Sequence, residues 1–223
     1  MAKNILICGV GGQGTVLAAK VLSQAAIAGG QNVLSAETIG MAQRGGSVVS
    51  HVRIGDDVYS PLIPSGQADI IIAFEAAEAV RNIEYLKKGG TVIINKKVVQ
   101  PAEASLAGKV FEADTMIDFL KKDYDVIAVD ADKICEELGS SKVVNMVLLG
   151  AASTSASGKE TISKDELTEA LKATVKPAFY ELNVRQLKLE HRLDKTNSII
   201  KVCFLVRKDE NHYYILKINF YLL

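Results

Sequence analysis

Apolar residues follow two alternating rhythms along most of the chain. Asn4 to Cys8 is a short run rich in Ile and Leu that closes on glycines, the pattern of a buried parallel strand. From Thr15 to Ala28 the apolar positions Leu17, Val21, Ala25 and Ala28 mark one face of a helix, and Gly29 and Gly30 stop it. Asn32 to Ala36 reads as a second strand, with Glu37 at its carboxyl end. Ser47 to Ile54 alternates across two faces, and after Gly55, Asp56 and Asp57 the run Val58 to Ser60 is expected to return as its hairpin partner. The strand–helix rhythm then resumes. Ala68 to Phe74 is a strand, Glu75 to Leu86 a helix stopped by Gly89 and Gly90, and Thr91 to Asn95 the next strand.

Further on, strands are expected at Lys109 to Glu112 and Asp125 to Val129, with helices from Thr115, near Ala131 to Leu138 and at Lys142 to Ala152. Ser163 and Glu166 have capping-box spacing and open a helix through Ala173. Lys176 to Leu189 forms one more, Pro177 falling in its first turn. From Asn197 the chain turns dense in β-branched and aromatic residues, Phe204, Tyr213, Tyr214, Phe220 and Tyr221 among them, and "KDEN" separates two strand-like runs. Such an arm is a hairpin, an oligomer contact or an unrelated tail. The whole pattern predicts an α/β fold: a Rossmann-like, mostly parallel sheet with helices on both faces, a β-hairpin insertion and a C-terminal β-ribbon. Residues 1–189 form the main domain and 190–223 an extension.

Composition narrows the function classes. With 223 residues, 48% of them hydrophobic, the chain can bury a sizeable core. Lys plus Arg and Asp plus Glu both total 26, so no global basic field exists to attract nucleic acid or an anionic membrane. No apolar run approaches the roughly 20 residues of a membrane span, and the opening "MAKNILICGVGG" reads as a first strand rather than a signal peptide. Cys8, Cys135 and Cys203 are far apart and form no C-x-x-C pair. This argues against a disulfide framework, a zinc knuckle or an iron–sulfur cluster held by this chain alone, and fits a reducing cytoplasm.

The strongest local signal is "GVGGQG". Gly9, Gly11 and Gly14 have the G-x-G-x-x-G spacing, Gly12 adds a fourth glycine, and a strand precedes and a helix follows. Glycines here let the backbone turn tightly, let an anion approach the amides and let helix and strand pack closely. The motif is therefore open to two readings, a phosphate cradle or a tight packing turn. Glu37 stands about where a dinucleotide site holds the ribose hydroxyls, which keeps an NAD(P)-dependent dehydrogenase in play. No placed proton donor accompanies it, and hydride transfer to a carbonyl needs one. A third reading is a scaffold that binds no small molecule.

Three stretches together carry a resemblance: "GVGGQGTVLAAKVLSQAA", "ETIGMAQRGGSVVSHVRIG" and "SPLIPSGQADIIIAFEAAEAVRNIEYLKKGGTVIIN". They resemble the gamma component of 2-oxoacid:ferredoxin oxidoreductases, over about residues 3 to 189. "GMAQRGG", Gly40 to Gly46, is similar to the indolepyruvate branch, and "VVNMVLLGA" and "FYELNVRQL" to later family blocks. The resemblance implies the small subunit of an enzyme that oxidatively decarboxylates aryl pyruvates with coenzyme A, giving an aryl-acetyl-CoA, CO2 and reduced ferredoxin. It places thiamine diphosphate and the iron–sulfur clusters on a large partner subunit, with no cofactor bound by this chain alone and with ferredoxin as the electron acceptor of the complex.

Strand ends bring Gly9 to Gly14, Glu37 to Gly46, Glu75 and Asn95 toward the carboxyl edge of the sheet, where α/β proteins place ligands. The expected ligand or partner edge is Gly9, Gly11, Gly12, Gln13, Gly14, Gln43, Arg44, Gly45 and Gly46. Arg44 suits a phosphate of coenzyme A or a carboxylate of the partner, or else an internal ion pair with Glu37 or Glu75. Gln43 bonds a partner or caps a turn. His51 lies mid-strand with no nucleophile near in sequence and reads as a packed or surface imidazole, and His191 and His212 lie outside the resemblance. Asp123, Asp125, Asp130 and Asp132 flank a strand and a helix start, where loop and cap roles outweigh a metal cluster. Cys8 reads as a small core residue.

Overall fold

Consecutive residues of the central strands serve two different cores. Ile5, Ile7, Ile70, Ile72 and Ile93 face one, while Leu6, Cys8, Ile71, Ala73, Val92 and Ile94 face the other, because strand side chains alternate. The computed structural model describes residues 2–39, 45–100, 108, 110–137, 144–159, 162, 164–175, 177, 180–181, 183–184, 187, 199–209 and 212–221.

The strands are β1 (Lys3–Val10), β2 (Val33–Ile39), β3 (Ser47–Ile54), β4 (Ala68–Ala73), β5 (Leu86–Asn95) and β6 (Asp125–Val129). They form one sheet in the order β2-β3-β1-β4-β5-β6. β1–β4, β4–β5 and β5–β6 pair parallel, whereas β3 is antiparallel to both β1 and β2. Five strands therefore run one way and β3 alone runs back, which bears out a mostly parallel sheet.

One layer comprises α1 (Thr15–Ala28), α5 (Val144–Thr154) and α7 (Lys164–Thr174), which pack through Val21, Leu22, Leu148 and Leu171. On the other face lie α2 (Ala76–Arg81) and α3 (Ala113–Leu120), with Ala79, Ile117 and Leu120 buried. Two short helices, α4 (Ala131–Glu137) and α6 (Ala156–Lys159), lie between these longer elements along the chain. The described residues within 176–189 are helical. Further along, β7 (Ile199–Asp209) and β8 (His212–Tyr221) pair antiparallel as a two-stranded ribbon.

Three expectations fail. Ser47 to Ile54 is a strand, but Val58 to Ser60 is not its partner: β3 is wedged between β1 and β2. The residues after it are fixed by side chains instead, Arg53 Nη1 donating to Ser60 O (2.9 Å) and Leu62 O (3.2 Å). The helix expected to Leu86 ends at Arg81, and after a single 3-10 turn at Ile83–Tyr85 the chain is already strand β5. No strand forms at 110–112, where the Gln100 side chain brackets Phe111, donating to its O (2.6 Å) and accepting from its N–H (3.0 Å).

Candidate functional site

The carboxyl edge of the sheet gathers the end of β1, the start of β3, the start of α2 and the end of β5. At the glycine turn Gly12 (φ 98°) and Gly14 (φ 91°) lie in the left-handed region that favours glycine. Gly11 N–H donates to Gly46 O at 2.8 Å, tying this turn to the segment that enters β3. Gln13 folds back so that its Oε1 accepts the Val10 N–H (2.7 Å), while its Nε2 is buried without a hydrogen bond among the described residues.

The glycines divide the work between them. A Cβ on Gly9 would sit 2.7 Å from Gln13 Oε1, 2.8 Å from Phe74 Cβ and 2.9 Å from Thr15 Cγ2, so this position is required by protein packing. A Cβ on Gly12 would meet nothing within 4 Å. That side of the turn is open, and it adjoins the N-terminus of α1, whose cap Gly14 supplies no side-chain hydrogen bond. Buried Asn145, at the start of α5, reaches the same turn: its Nδ2 would lie 3.4 Å from a Cβ on Gly14. Free helix-start amides beside an open glycine can receive an anion.

Glu37 does not sit at such a cradle. It lies inside β2, exposed, opposite Ser50 of β3, and β3 separates its strand from β1 by two strand spacings, about 10 Å. The acid that a dinucleotide ribose needs beside the glycine turn is thereby displaced, which removes the structural support for the NAD reading. Gln43 and Arg44 lie outside the described residues; Gly46 O accepts the Gly11 N–H, and Gly45 before it has φ 81°.

Beneath the edge are two buried carboxylates. Glu75 caps α2, its Oε2 accepting from Glu78 N–H (2.8 Å) and its Oε1 from Val99 N–H (3.1 Å); burial pushes its pKa up, with the backbone hydrogen bonds opposing. Glu78, also buried, accepts from Ser47 Oγ–H at 2.6 Å and pairs with Arg81. Cys8 donates its thiol toward Glu78 O at 3.6 Å, and burial drives its pKa far up, so the thiol stays protonated and serves as a core residue.

Asn95 ends β5 as a clamp: Oδ1 accepts from Ala131 N–H (3.1 Å), and Nδ2 donates to Asp132 Oδ2 (2.8 Å). Asp132 also takes Lys97 Nζ at 2.7 Å, Asp130 accepts from Lys133 N–H, and Asp125 accepts from Thr91 Oγ1–H. Asp123 belongs to the turn after α3, its N–H donating to Leu120 O. Among the described residues no three His, Cys, Asp or Glu side chains are grouped to hold a metal. His51 is packed: Nδ1 accepts from Ile63 N–H at 3.2 Å and its ring meets Tyr85 edge-on. Sequence reading missed Ser47, Glu78, Arg81 and Asn145. The signal for Glu78 was present only as a carboxylate one turn after Glu75, because nothing local shows that β3 brings Ser47 against it.

Fold and edge define a class: an α/β protein with a six-stranded, mostly parallel sheet, whose first glycine is filled by protein contacts and whose open edge offers backbone donors rather than an acid–base pair. The chain belongs to the pyruvate ferredoxin/flavodoxin oxidoreductase family, whose model matches residues 4–189. Indolepyruvate oxidoreductase subunit IorB of Archaeoglobus fulgidus is 42% identical over 191 residues, 85% of this chain and 94% of that one. The gamma subunit of a keto/oxoacid ferredoxin oxidoreductase from Geobacter sulfurreducens superposes with TM-score 0.61 at 25% identity, over 84% of this chain and 95% of that chain. A 2-oxoglutarate:ferredoxin oxidoreductase from Magnetococcus marinus, solved with 2-oxoglutarate, coenzyme A and succinyl-CoA bound, has TM-score 0.63 at 20% identity. The match spans 91% of this chain and 35% of that one, a likeness of fold alone. No helix among the described residues is long and apolar enough to cross a membrane.

Proposed function

We propose that this chain is the small subunit of an indolepyruvate:ferredoxin oxidoreductase, a complex that converts an aryl pyruvate and coenzyme A to aryl-acetyl-CoA and CO2 while two electrons pass singly to ferredoxin. The observation that carries the reading is the 42% identity to an indolepyruvate oxidoreductase subunit across nearly its full length. Thiamine diphosphate, on the large partner subunit, supplies the carbanion chemistry of decarboxylation, and iron–sulfur clusters there carry the electrons. The three widely spaced cysteines of this chain accord with that division.

The contribution of this chain is an edge that orients and excludes. Gly12 and Gly14, with the uncapped start of α1, offer backbone donors to a phosphate of coenzyme A, while the Gly11 and Gln13 amides hold the turn itself, donating to Gly46 O and Val10 O. Gln43, Arg44, Gly45 and Gly46 are assigned to the same ligand or partner role, with Arg44 as the fork for a phosphate or a carboxylate. Gly9 packs the first strand on Phe74 and keeps the turn in place.

Co-expression with the large subunit and steady-state kinetics test this. Arg44→Ala is expected to leave assembly intact and raise the apparent KM for coenzyme A about tenfold or more, the worth of a charge-assisted hydrogen bond. Normal assembly with unchanged KM for both coenzyme A and the 2-oxoacid would remove the ligand role of Arg44.

A further inference from the structure

Asn145, the second residue of α5, is only 3% exposed. Its Oδ1 accepts the Met146 N–H at 3.0 Å, which fixes the amide with its oxygen toward its own helix. The nitrogen is directed at the glycine turn: a Cβ built on Gly14 would lie 3.4 Å from Nδ2, 3.8 Å from Cγ and 3.9 Å from Cβ of Asn145. Gly14 is the residue that caps α1. Among the described residues the Asn145 NH2 group donates to nothing.

A side chain buried to this degree ordinarily has its donors paired. The carbonyls of the turn are already engaged, Val10 O by the Gln13 N–H, Gly46 O by the Gly11 N–H and Gly14 O by the Ala18 N–H. Gln13 repeats the pattern, its Oε1 spent on the Val10 N–H and its sealed Nε2 left without an acceptor among the described residues. With the Gly12 and Gly14 amides and the first amides of the 14-residue helix α1, the turn is an assembly of donors in want of an acceptor. These donors come from the starts of two helices. A tetrahedral phosphoryl group presents oxygens to both, whereas a planar carboxylate presents its two oxygens to one side.

We infer that Asn145 is a binding residue of the glycine turn: its Nδ2 donates to a phosphoryl oxygen held from the other side by the Gly12 and Gly14 amides and the start of α1. This rests on the coenzyme A reading above and deepens it, making Asn145 the side chain that favours a phosphoryl group over the carboxylate of the 2-oxoacid.

Two measurements test it. Inorganic pyrophosphate titrated into the full-length chain is expected to move the Asn145 side-chain NH2 resonances together with the Gly12 and Gly14 amides, saturably and with one dissociation constant. In the co-expressed complex, Asn145→Asp keeps the shape and the acceptor for Met146 N–H but removes the donor, and is expected to raise the KM for coenzyme A about tenfold or more. Asn145→Ala raises it less, and the KM for the 2-oxoacid stays at the parent value in both. A merely structural role would not separate the two KM values. Dephospho-coenzyme A identifies the phosphoryl group, and either answer supports the inference: the variants remain sensitive to it if the pyrophosphate is bound, and lose that sensitivity if the 3′-phosphate is. If Gly12 and Gly14 respond to pyrophosphate and Asn145 does not, the inference is overturned while the coenzyme A reading stands. If no resonance of the turn responds, or if the KM for the 2-oxoacid rises in place of that for coenzyme A, the inference is overturned. Should Asn145→Asp fail to fold, or the chain form no complex with the large subunit, the titration of the parent chain decides the role of Asn145 by itself.

Discussion

Gly9 and Gly12 stand three residues apart and meet opposite demands. Gly9→Ala forces a methyl into Gln13, Phe74 and Thr15, and overpacking of this kind is expected to cost about 1–3 kcal/mol, read as a lower urea midpoint. Gly12→Ala meets no atom, and its cost is the left-handed backbone alone, about 1–2 kcal/mol; if the turn receives an anion, that variant also weakens ligand binding in the assembled enzyme. His51 carries the pH dependence. Burial lowers its pKa from 6.5, and its Nδ1 already accepts the Ile63 N–H. The unfolded chain therefore takes up the proton first, so this contribution is fully present above pH 6.5 and is lost as pH falls through the folded value. His51→Phe should flatten that part of a urea-midpoint profile taken from pH 8 to 5, after a constant loss of about 1–3 kcal/mol for the unpaired Ile63 amide. Glu75 acts with the opposite sign: its raised value makes the folded state hold the proton, a gain lost as pH rises through that value. The motif in the sequence identified where the turn is, but not which glycine faces protein and which faces open space.

At the scale of elements, α1, β3 and β6 have the bounds their patterns predict, because each is a complete rhythm between clear stops. The α2–β5 junction shows where that logic breaks. Leu86 falls at helical spacing after Glu75, and Gly89 with Gly90 looks like a helix stop, yet Leu86 pairs with Ala68 of β4. A Cβ on Gly90 would lie 2.9 Å from Asp69 O and 3.1 Å from Ala68 O, so this glycine permits close approach of β4 within a strand irregularity. The constraint comes from a strand distant in sequence. Asn95 links elements on the other side of the same strand, and Asn95→Ala strips the buried Ala131 N–H of its acceptor and Asp132 of a donor. A loss of about 2–3 kcal/mol is expected, measured by urea unfolding, with α4 exchanging its amides faster than α1.

For the molecule as a whole, the order of strands was the part that pattern left unread. Alternation in Ser47 to Ile54 identifies a strand, and its own turn residues suggest a local partner, but the choice of β1 and β2 is made by Val52 and Ile54, which bury against α1 and its neighbours. The β2–β3 pairing is local, closed across residues 40–46, whereas β1 must wait for β3 on one side and β4 on the other. During synthesis β1 emerges first and remains an open edge until more than forty further residues have followed. Local closure is fast and distant pairing slow, so the β2–β3 hairpin is expected to form first and its insertion beside β1 to limit the rate. Val52→Ala and Val129→Ala, both at buried strand positions, should each cost about 2 kcal/mol, yet a chevron separates them: the first slows refolding, the second mainly speeds unfolding. A strand that reverses direction one place in from the edge of a mostly parallel sheet thus sets the time for which the nascent chain is exposed to pairing with the wrong neighbour.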